Sequence, residues 1–223
     1  MTTPARSGAP PDRMRRWPNP ALMLITDRAR LRGRRLEEVV SAAIDGGVNA
    51  VQLREKDLPT TELYDLTITL RAVVRGRALL LVNDRVDVAL SAGADGVHLP
   101  ERSLPGEKVR GLVGEHVIVG RSVHSVEAAQ RAASDGVDYV QVGAVYETAS
   151  KPGVVPAGVE LVRAVADVVS VRVIAVGGIT AEAVGEVIEA GVDGVAVIGA
   201  ILDADDPRLA ASKLWHALDE AYG

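Results

Sequence analysis

Short β-branched and leucine-rich runs alternate with helical patterns almost from end to end of the chain. The apolar runs predict strands over 21–27, 50–55, 78–83, 96–100, 117–123, 139–144, 172–177 and 194–199. The stretches between them predict helices over 36–45, 61–75, 85–92, 106–113, 125–135, 158–168, 181–190 and 207–221. Thr61, Ser125 and Thr180 are placed to accept from the free amides of a first helical turn, with Glu62, Glu127 and Glu182 close behind to suit the dipole. Alternation of this kind is the signature of a parallel sheet built from strand–helix–strand units.

Four segments repeat one another: GGVNAVQLR from Gly46, AGADGVHLP from Ala92, SDGVDYVQVG from Ser134 and EAGVDGVAVIG from Glu189. Each reads as a helix end, a small turn and a buried strand, with glycine taking the left-handed position after the helix. The glycines at 46, 93, 136 and 191 are 47, 43 and 55 residues apart, the length of two strand-plus-helix units. Four such quarters make eight strands, which predicts a single (β/α)8 TIM barrel over 21–223. A doubly wound open sheet would alternate similarly, but a dinucleotide-binding one carries G-x-G-x-x-G after its first strand, and LITDRARLRGRR has none. Barrel enzymes place their chemistry on the loops that follow the strands, so the residues after each run become the candidates.

Composition narrows the partners. At 223 residues the chain accommodates one barrel and no second sizeable domain. A net charge of −5 and 3% aromatic content argue against nucleic acid and for small molecules. Cysteine is absent, which excludes disulfides and thiolate chemistry and suits a cytoplasmic protein. No apolar run approaches a membrane span. The first twenty residues hold five prolines and four arginines without an apolar segment, so Met1 to Pro20 is expected to be a disordered leader outside the fold. Only four lysines stand against twenty-one arginines, and two of the four, Lys56 and Lys151, follow strand-like runs.

The candidate chemistry follows strand by strand. After the second strand, QLREKD sets Gln52, Arg54 and Lys56 on one side, a set suited to a polyanion unless Glu55 or Asp57 pairs with the cations. After the third, Asn83 and Asp84 reach the mouth, where Asp84 either holds magnesium with substrate phosphates or caps the next helix. His98, inside the fourth strand, is expected to be a packed, hydrogen-bonded barrel residue, and His116 and His216 to lie at the surface. GRSVHS brings Ser122 and His124 to the end of the fifth strand, His124 as a general acid or base or as a rim residue. After the sixth, Thr148, Ser150 and Lys151 precede a glycine- and proline-bearing loop that reads as a lid over an anion or as a long surface loop. Gly177 and Gly178 after the seventh strand, with Ile198 and Gly199 ending the eighth, present bare amides at helix starts and suit a phosphate.

Taken in order, QLREKD, VNDRVDVAL, GVHLP, GRSVH, the ET-S-KPG loop and GGIT with VIGAI resemble the thiamine phosphate synthase and TenI family from about Leu22 to Leu218. In the synthase branch, a hydroxymethylpyrimidine diphosphate loses pyrophosphate and the pyrimidine cation is captured by the nitrogen of a thiazole phosphate. The resemblance implies Gln52, Arg54, Lys56 and Asn83 around the pyrophosphate and pyrimidine, and Asp84 on magnesium. It implies Ser122, Thr148, Ser150 and Lys151 as further phosphate contacts, and Gly178, Ile198 and Gly199 at the thiazole phosphate.

Two departures shift the balance within the family. Synthases usually read G-Q-x-D after the fourth strand, and this chain reads PERS, with Ser103 in place of the second magnesium-binding aspartate. The sixth loop reads ETAS where synthases typically read P-T-x-T. Both changes resemble TenI-type thiazole tautomerases, which move one proton and need a phosphate site, a cation and an acid/base but no metal. The leading expectation is therefore an isomerase, a thiazole tautomerase without a cofactor, with His124 as proton carrier. The alternatives are a Mg2+-dependent thiamine phosphate synthase and a non-catalytic thiazole phosphate-binding protein. The expected partner is the small thiazole phosphate, with homo-oligomerisation left open.

Overall fold

The computed structural model describes residues 12–150 and 153–223. Eight parallel strands close on themselves in sequence order: β1 (Ala21–Ile25), β2 (Ala50–Leu53), β3 (Leu79–Asn83), β4 (Gly96–Leu99), β5 (Ile118–Val123), β6 (Tyr139–Val142), β7 (Arg172–Val176) and β8 (Gly194–Val197). The seam pairs Leu22 with Val195 and Met23 with Ala196. Outside lie α1 (Leu36–Asp45), α2 (Thr60–Val74), α3 (Val86–Ala92), α4 (Gly106–Val113), α5 (Val126–Ser134), α6 (Gly158–Ala166), α7 (Val184–Glu189), the short α8 (Gly199–Leu202) and α9 (Pro207–Tyr222). The predicted TIM barrel is the observed fold.

The four sequence repeats have a common structural cause at the N-terminal end of the barrel. Asn49, Asp95, Asp138 and Asp193 immediately precede β2, β4, β6 and β8. Each accepts the amide of the second residue of the preceding strand: Leu22 (2.9 Å), Leu80 (2.9 Å), Val119 (2.8 Å) and Val173 (2.8 Å). These side chains satisfy amides at the sheet's lower rim, where an unpaired buried donor would be costly. The three carboxylates also carry arginines: Arg16 on Asp95, Arg13 and Arg110 on Asp138, and Arg172 on Asp193.

One step further along each repeat, Ala50, Gly96, Tyr139 and Gly194 form a layer in which one large ring stands among small residues. A Cβ on Gly120 would fall 2.0 Å from the Tyr139 ring, so the ring occupies the space of a missing side chain. Met23, Leu81, Ile118 and Ile174 pack around it.

Four expectations are corrected. Residues 1–11 of the expected leader lie outside the described residues, but Asp12–Arg16 forms a 3-10 helix and Met14 and Trp17 are buried in the barrel's inner core. Trp17 lies against Tyr139 at 4.7 Å between ring centres, closing the barrel floor, while Arg13 and Arg16 fasten the segment to Asp138 and Asp95. Proline and arginine content did not reveal this apolar anchor. The cap expected at Thr61 is absent: α2 starts at Thr60 after Pro59, without a side-chain cap. Thr180 likewise forms no cap bond, whereas Ser125 accepts from the Ala128 amide at 3.1 Å as predicted. Gly46 is not left-handed (φ −92°); it is needed because a Cβ would come 2.3 Å from the Arg208 carbonyl of α9. No helix among the described residues is long and apolar enough to cross a membrane.

Candidate functional site

The next inward position of the repeats, Gln52, His98, Gln141 and Ala196, forms the layer beneath the C-terminal mouth. Gln141 Nε2 donates to Gln52 Oε1 (3.4 Å), and Gln52 Nε2 donates to Asn83 Oδ1 (3.3 Å). His98 is buried, with Nδ1 2.8 Å from the Tyr139 hydroxyl and Nε2 2.8 Å from Ser122 Oγ. Burial, with Arg54 and Arg121 nearby, lowers its pKa to about 3, so the ring is neutral. The buried Tyr139 hydroxyl has no other described partner, and its proton is satisfied by donating to Nδ1. Nε2–H then donates to Ser122, leaving the serine proton for the mouth. The packed His98 and the exposed His116 and His216 are as predicted.

Above this layer, a chamber of about 170 Å3 is lined by Gln52, Arg54, Lys56, Asn83, Ser122 and His124 among others. The rival reading of the cations as salt-bridge partners of their neighbours does not hold. Glu55 and Asp57 are both engaged by Arg28, at 3.4 and 2.9 Å. Among the described residues no carboxylate pairs with Arg54 or Lys56. Glu55 itself is raised above the usual carboxylate range by burial, with Thr26 and Arg28 acting against the shift. The Arg54 amide donates to Thr26 Oγ1 at 2.9 Å, which fixes the backbone from which the guanidinium projects.

Asp84 is exposed, has φ +65°, and accepts from Ser103 Oγ at 2.9 Å. It is not a helix cap, since α3 begins after Arg85 with no side-chain cap. His124 is about two-fifths exposed, and its Nδ1 lies 3.0 Å from Glu101 Oε2. Arg121 donates to the carbonyls of Glu101, Ser103 and Leu104, fastening the loop after β4 that carries Glu101.

A second chamber of about 310 Å3 holds Thr148, Ser150, Gly177, Gly178, Ile198 and Gly199. Gly177 and Gly178 have φ +106° and +68°, and a Cβ on Gly178 would meet the Glu147 carbonyl at 2.4 Å. The turn therefore requires glycine both for its backbone and for the close approach of the loop after β6. The turn after β7 leads into a 3-10 turn at Ala181–Ala183, and α8 has only four residues, so neither glycine turn opens directly onto a long helix with a full dipole. Ser150, Val176 and Ile198 line both chambers, which are therefore adjacent. Lys151 lies outside the described residues. A larger concavity, about 700 Å3, sits at the opposite end beside Arg16 and Asp95 and contains none of the predicted mouth residues.

Sequence reasoning missed Gln141, Glu101, Arg30 and Asp203. Gln141 was readable, since it holds the place of Gln52 in the repeat. Glu101 sits in the PERS segment, two residues before Ser103, where no motif marks it. Arg30 and Asp203 belong to loops without a motif.

The chain is similar to thiamine-phosphate synthases of known proteins. That of Haloquadratum walsbyi is 46% identical over 202 residues, covering 89% of this chain and 91% of the relative. That of Clostridium tetani is 38% identical over 200 residues, covering 89% and 96%. The solved thiamine phosphate pyrophosphorylase from Pyrococcus furiosus superposes with a TM-score of 0.83 at 40% identity, covering 92% of this chain and 98% of that one. These similarities overturn the expected isomerase: relatives at this identity are named for the synthase, and the tautomerase assignment, with His124 as its proton carrier, falls. The departures at Ser103 and in the ETAS loop are local, and the QLREKD and VNDRVD segments of the synthase pattern are intact. The sequence model described as thiamine monophosphate synthase matches residues 22–201, and the chain belongs to that family.

Proposed function

We propose that this chain is a thiamine phosphate synthase, joining a hydroxymethylpyrimidine diphosphate to a thiazole phosphate with release of pyrophosphate. The observation that carries this reading is the pair of adjacent chambers, one with cations that lack carboxylate partners among the described residues and one lined by glycine turns. In the first, Arg54 and Lys56 counter the charge that grows on pyrophosphate as the carbon–oxygen bond breaks and its electron pair leaves with the oxygen. Gln52, Asn83 and Gln141 offer amides to the pyrimidine, and Ser122 donates a hydrogen bond. In the second, the Gly178 and Gly199 amides hold the thiazole phosphate, so that the thiazole nitrogen faces the pyrimidine carbon and forms the new carbon–nitrogen bond.

Magnesium is the cofactor implied by this reaction. Asp84 and the Ser103 hydroxyl, 2.9 Å apart, are hard oxygen donors of the kind that suit it. Asp84 and Ser103 would hold the ion, with the substrate's diphosphate oxygens and water as the further donors it would need, since no cluster of three or more histidine, cysteine or acidic side chains poised for a metal occurs among the described residues. When bound, the ion neutralises diphosphate charge. The test is to supply both substrates to the purified protein with and without magnesium and to follow pyrophosphate release and thiamine phosphate. Metal-dependent formation of both is expected; no product with both substrates and metal present overturns the reading.

A further inference from the structure

Arg30, on the loop after β1, reaches into the glycine-lined chamber from the strand beside β8. Its Nη1 lies 2.5 Å from Asp203 Oδ2, its Nε 3.4 Å from Asp27, and its Nη2 donates to Ser150 Oγ at 3.3 Å. One guanidinium thus joins the loops after β1, β6 and β8. Among the described residues lining this chamber, Arg30 is the single cation, facing two acids, Glu147 and Asp203. The ion pair stands directly over the phosphate cradle: a Cβ placed on Gly199 would be 2.7 Å from Asp203 Oδ2 and 3.2 Å from Arg30 Nη1.

A chamber with two carboxylates and one already paired arginine is a poor host for a dianion unless the pair rearranges. The Arg30 fork can bind a phosphate in two-point fashion, as it can a carboxylate. Asp203 is two-fifths exposed and can turn to water, whereas Arg30 is less than one-fifth exposed and is also held by Ser150 and Asp27. We propose that Arg30 is the side-chain anchor for a phosphate monoester in this chamber, with Asp203 occupying the phosphate's place on the guanidinium until the ligand displaces it. This inference rests on the reading of the chamber as a phosphate site. It adds a function for Ser150, which ties the loop after β6 to the anchoring arginine.

The pair makes opposite predictions for its two members. Calorimetric titration of the full chain with thiazole ethyl phosphate, the corresponding thiazole alcohol and inorganic phosphate separates them. Arg30→Ala weakens the phosphate monoester by about tenfold or more and leaves the alcohol unchanged. Arg30→Lys recovers part of the loss, because a point charge replaces the fork. Asp203→Asn tightens the monoester severalfold, because the competitor is gone. In turnover, Arg30→Ala raises KM for the thiazole phosphate and not for the pyrimidine diphosphate. Unchanged monoester affinity in Arg30→Ala overturns the inference, as does weakening in Asp203→Asn equal to that in Arg30→Ala, the mark of a purely structural pair. Arg30-dependent binding of inorganic phosphate without binding of thiazole phosphate keeps the anchor and sinks the synthase reading. A folded wild type that binds neither overturns both.

Discussion

The two ends of this barrel treat charge in opposite ways. At the floor, Asp95, Asp138 and Asp193 each accept a strand amide and an arginine, and Trp17 seals the centre. At the mouth, Arg54 and Lys56 stand without carboxylate partners among the described residues, over a layer of amides and a neutral histidine. Arg28 takes Glu55 and Asp57 away from them, so their freedom is itself built into the loop. A buried ionic group is costly to part from its partners, and one held ready without them is available to a ligand.

The contrast can be broken most severely from below. Asp138→Ala removes a side chain that is 3% exposed, takes one partner each from Arg13 and Arg110, which keep Glu115 and the Gly114 and Val117 carbonyls, and leaves the Val119 amide unmatched. The expected cost is about 4 kcal/mol, a fall in Tm of roughly 10 °C by calorimetry, with catalysis at low temperature kept. Trp17→Ala opens the floor at about 3 kcal/mol, read as a shift in denaturant midpoint at constant activity. From above, Arg54→Ala should cost about a hundredfold in kcat/KM with Tm unmoved. A Tm that falls with Arg54, or a kcat that collapses with Asp138, would erase the distinction between the ends.

A pH-dependent effect, the smallest per unit step, probes the layer between them. His98 is neutral in the folded state, with its pKa lowered to about 3 from an ordinary 6.5 by burial. The unfolded chain therefore binds the extra proton between these values, and stability falls as pH drops through that window, by at most about 1.4 kcal/mol per unit. Above the unfolded value the term is constant. His98→Gln should flatten the acid limb of a Tm–pH profile, and an unchanged slope would show that other groups set it.

The fold was legible because its signals are local and repeated. Helix, turn, Asn or Asp, strand recurs four times, and the same aspartates that mark the repeat bind the strand ends. Most of the site was legible too, since strand alternation alone places Gln52, Arg54 and Lys56 together, and glycine turns announce the second chamber. What was hidden depends on distant chain segments. The Arg28 contacts that release Arg54, the Arg30 to Asp203 pair and the burial of Trp17 join residues 27 to 173 positions apart, and no spacing rule reports them. The choice of reaction misled for a different reason: PERS and ETAS depart locally from the synthase pattern, whereas relatives 38–46% identical over nearly the whole chain are named for the synthase.

The chain has two tryptophans. Trp215 lies on α9 over Gly47, on the outer shell, whereas Trp17 touches the ring whose hydroxyl reaches His98 and, through it, Ser122. With Trp215 replaced by phenylalanine, Trp17 becomes the one tryptophan of the chain, lying against Tyr139 in the barrel's inner core and excited apart from the four tyrosines at the red edge of the absorption band. Its emission then gives an intrinsic optical signal, with no label attached, of whether filling the mouth tightens or slackens the far end.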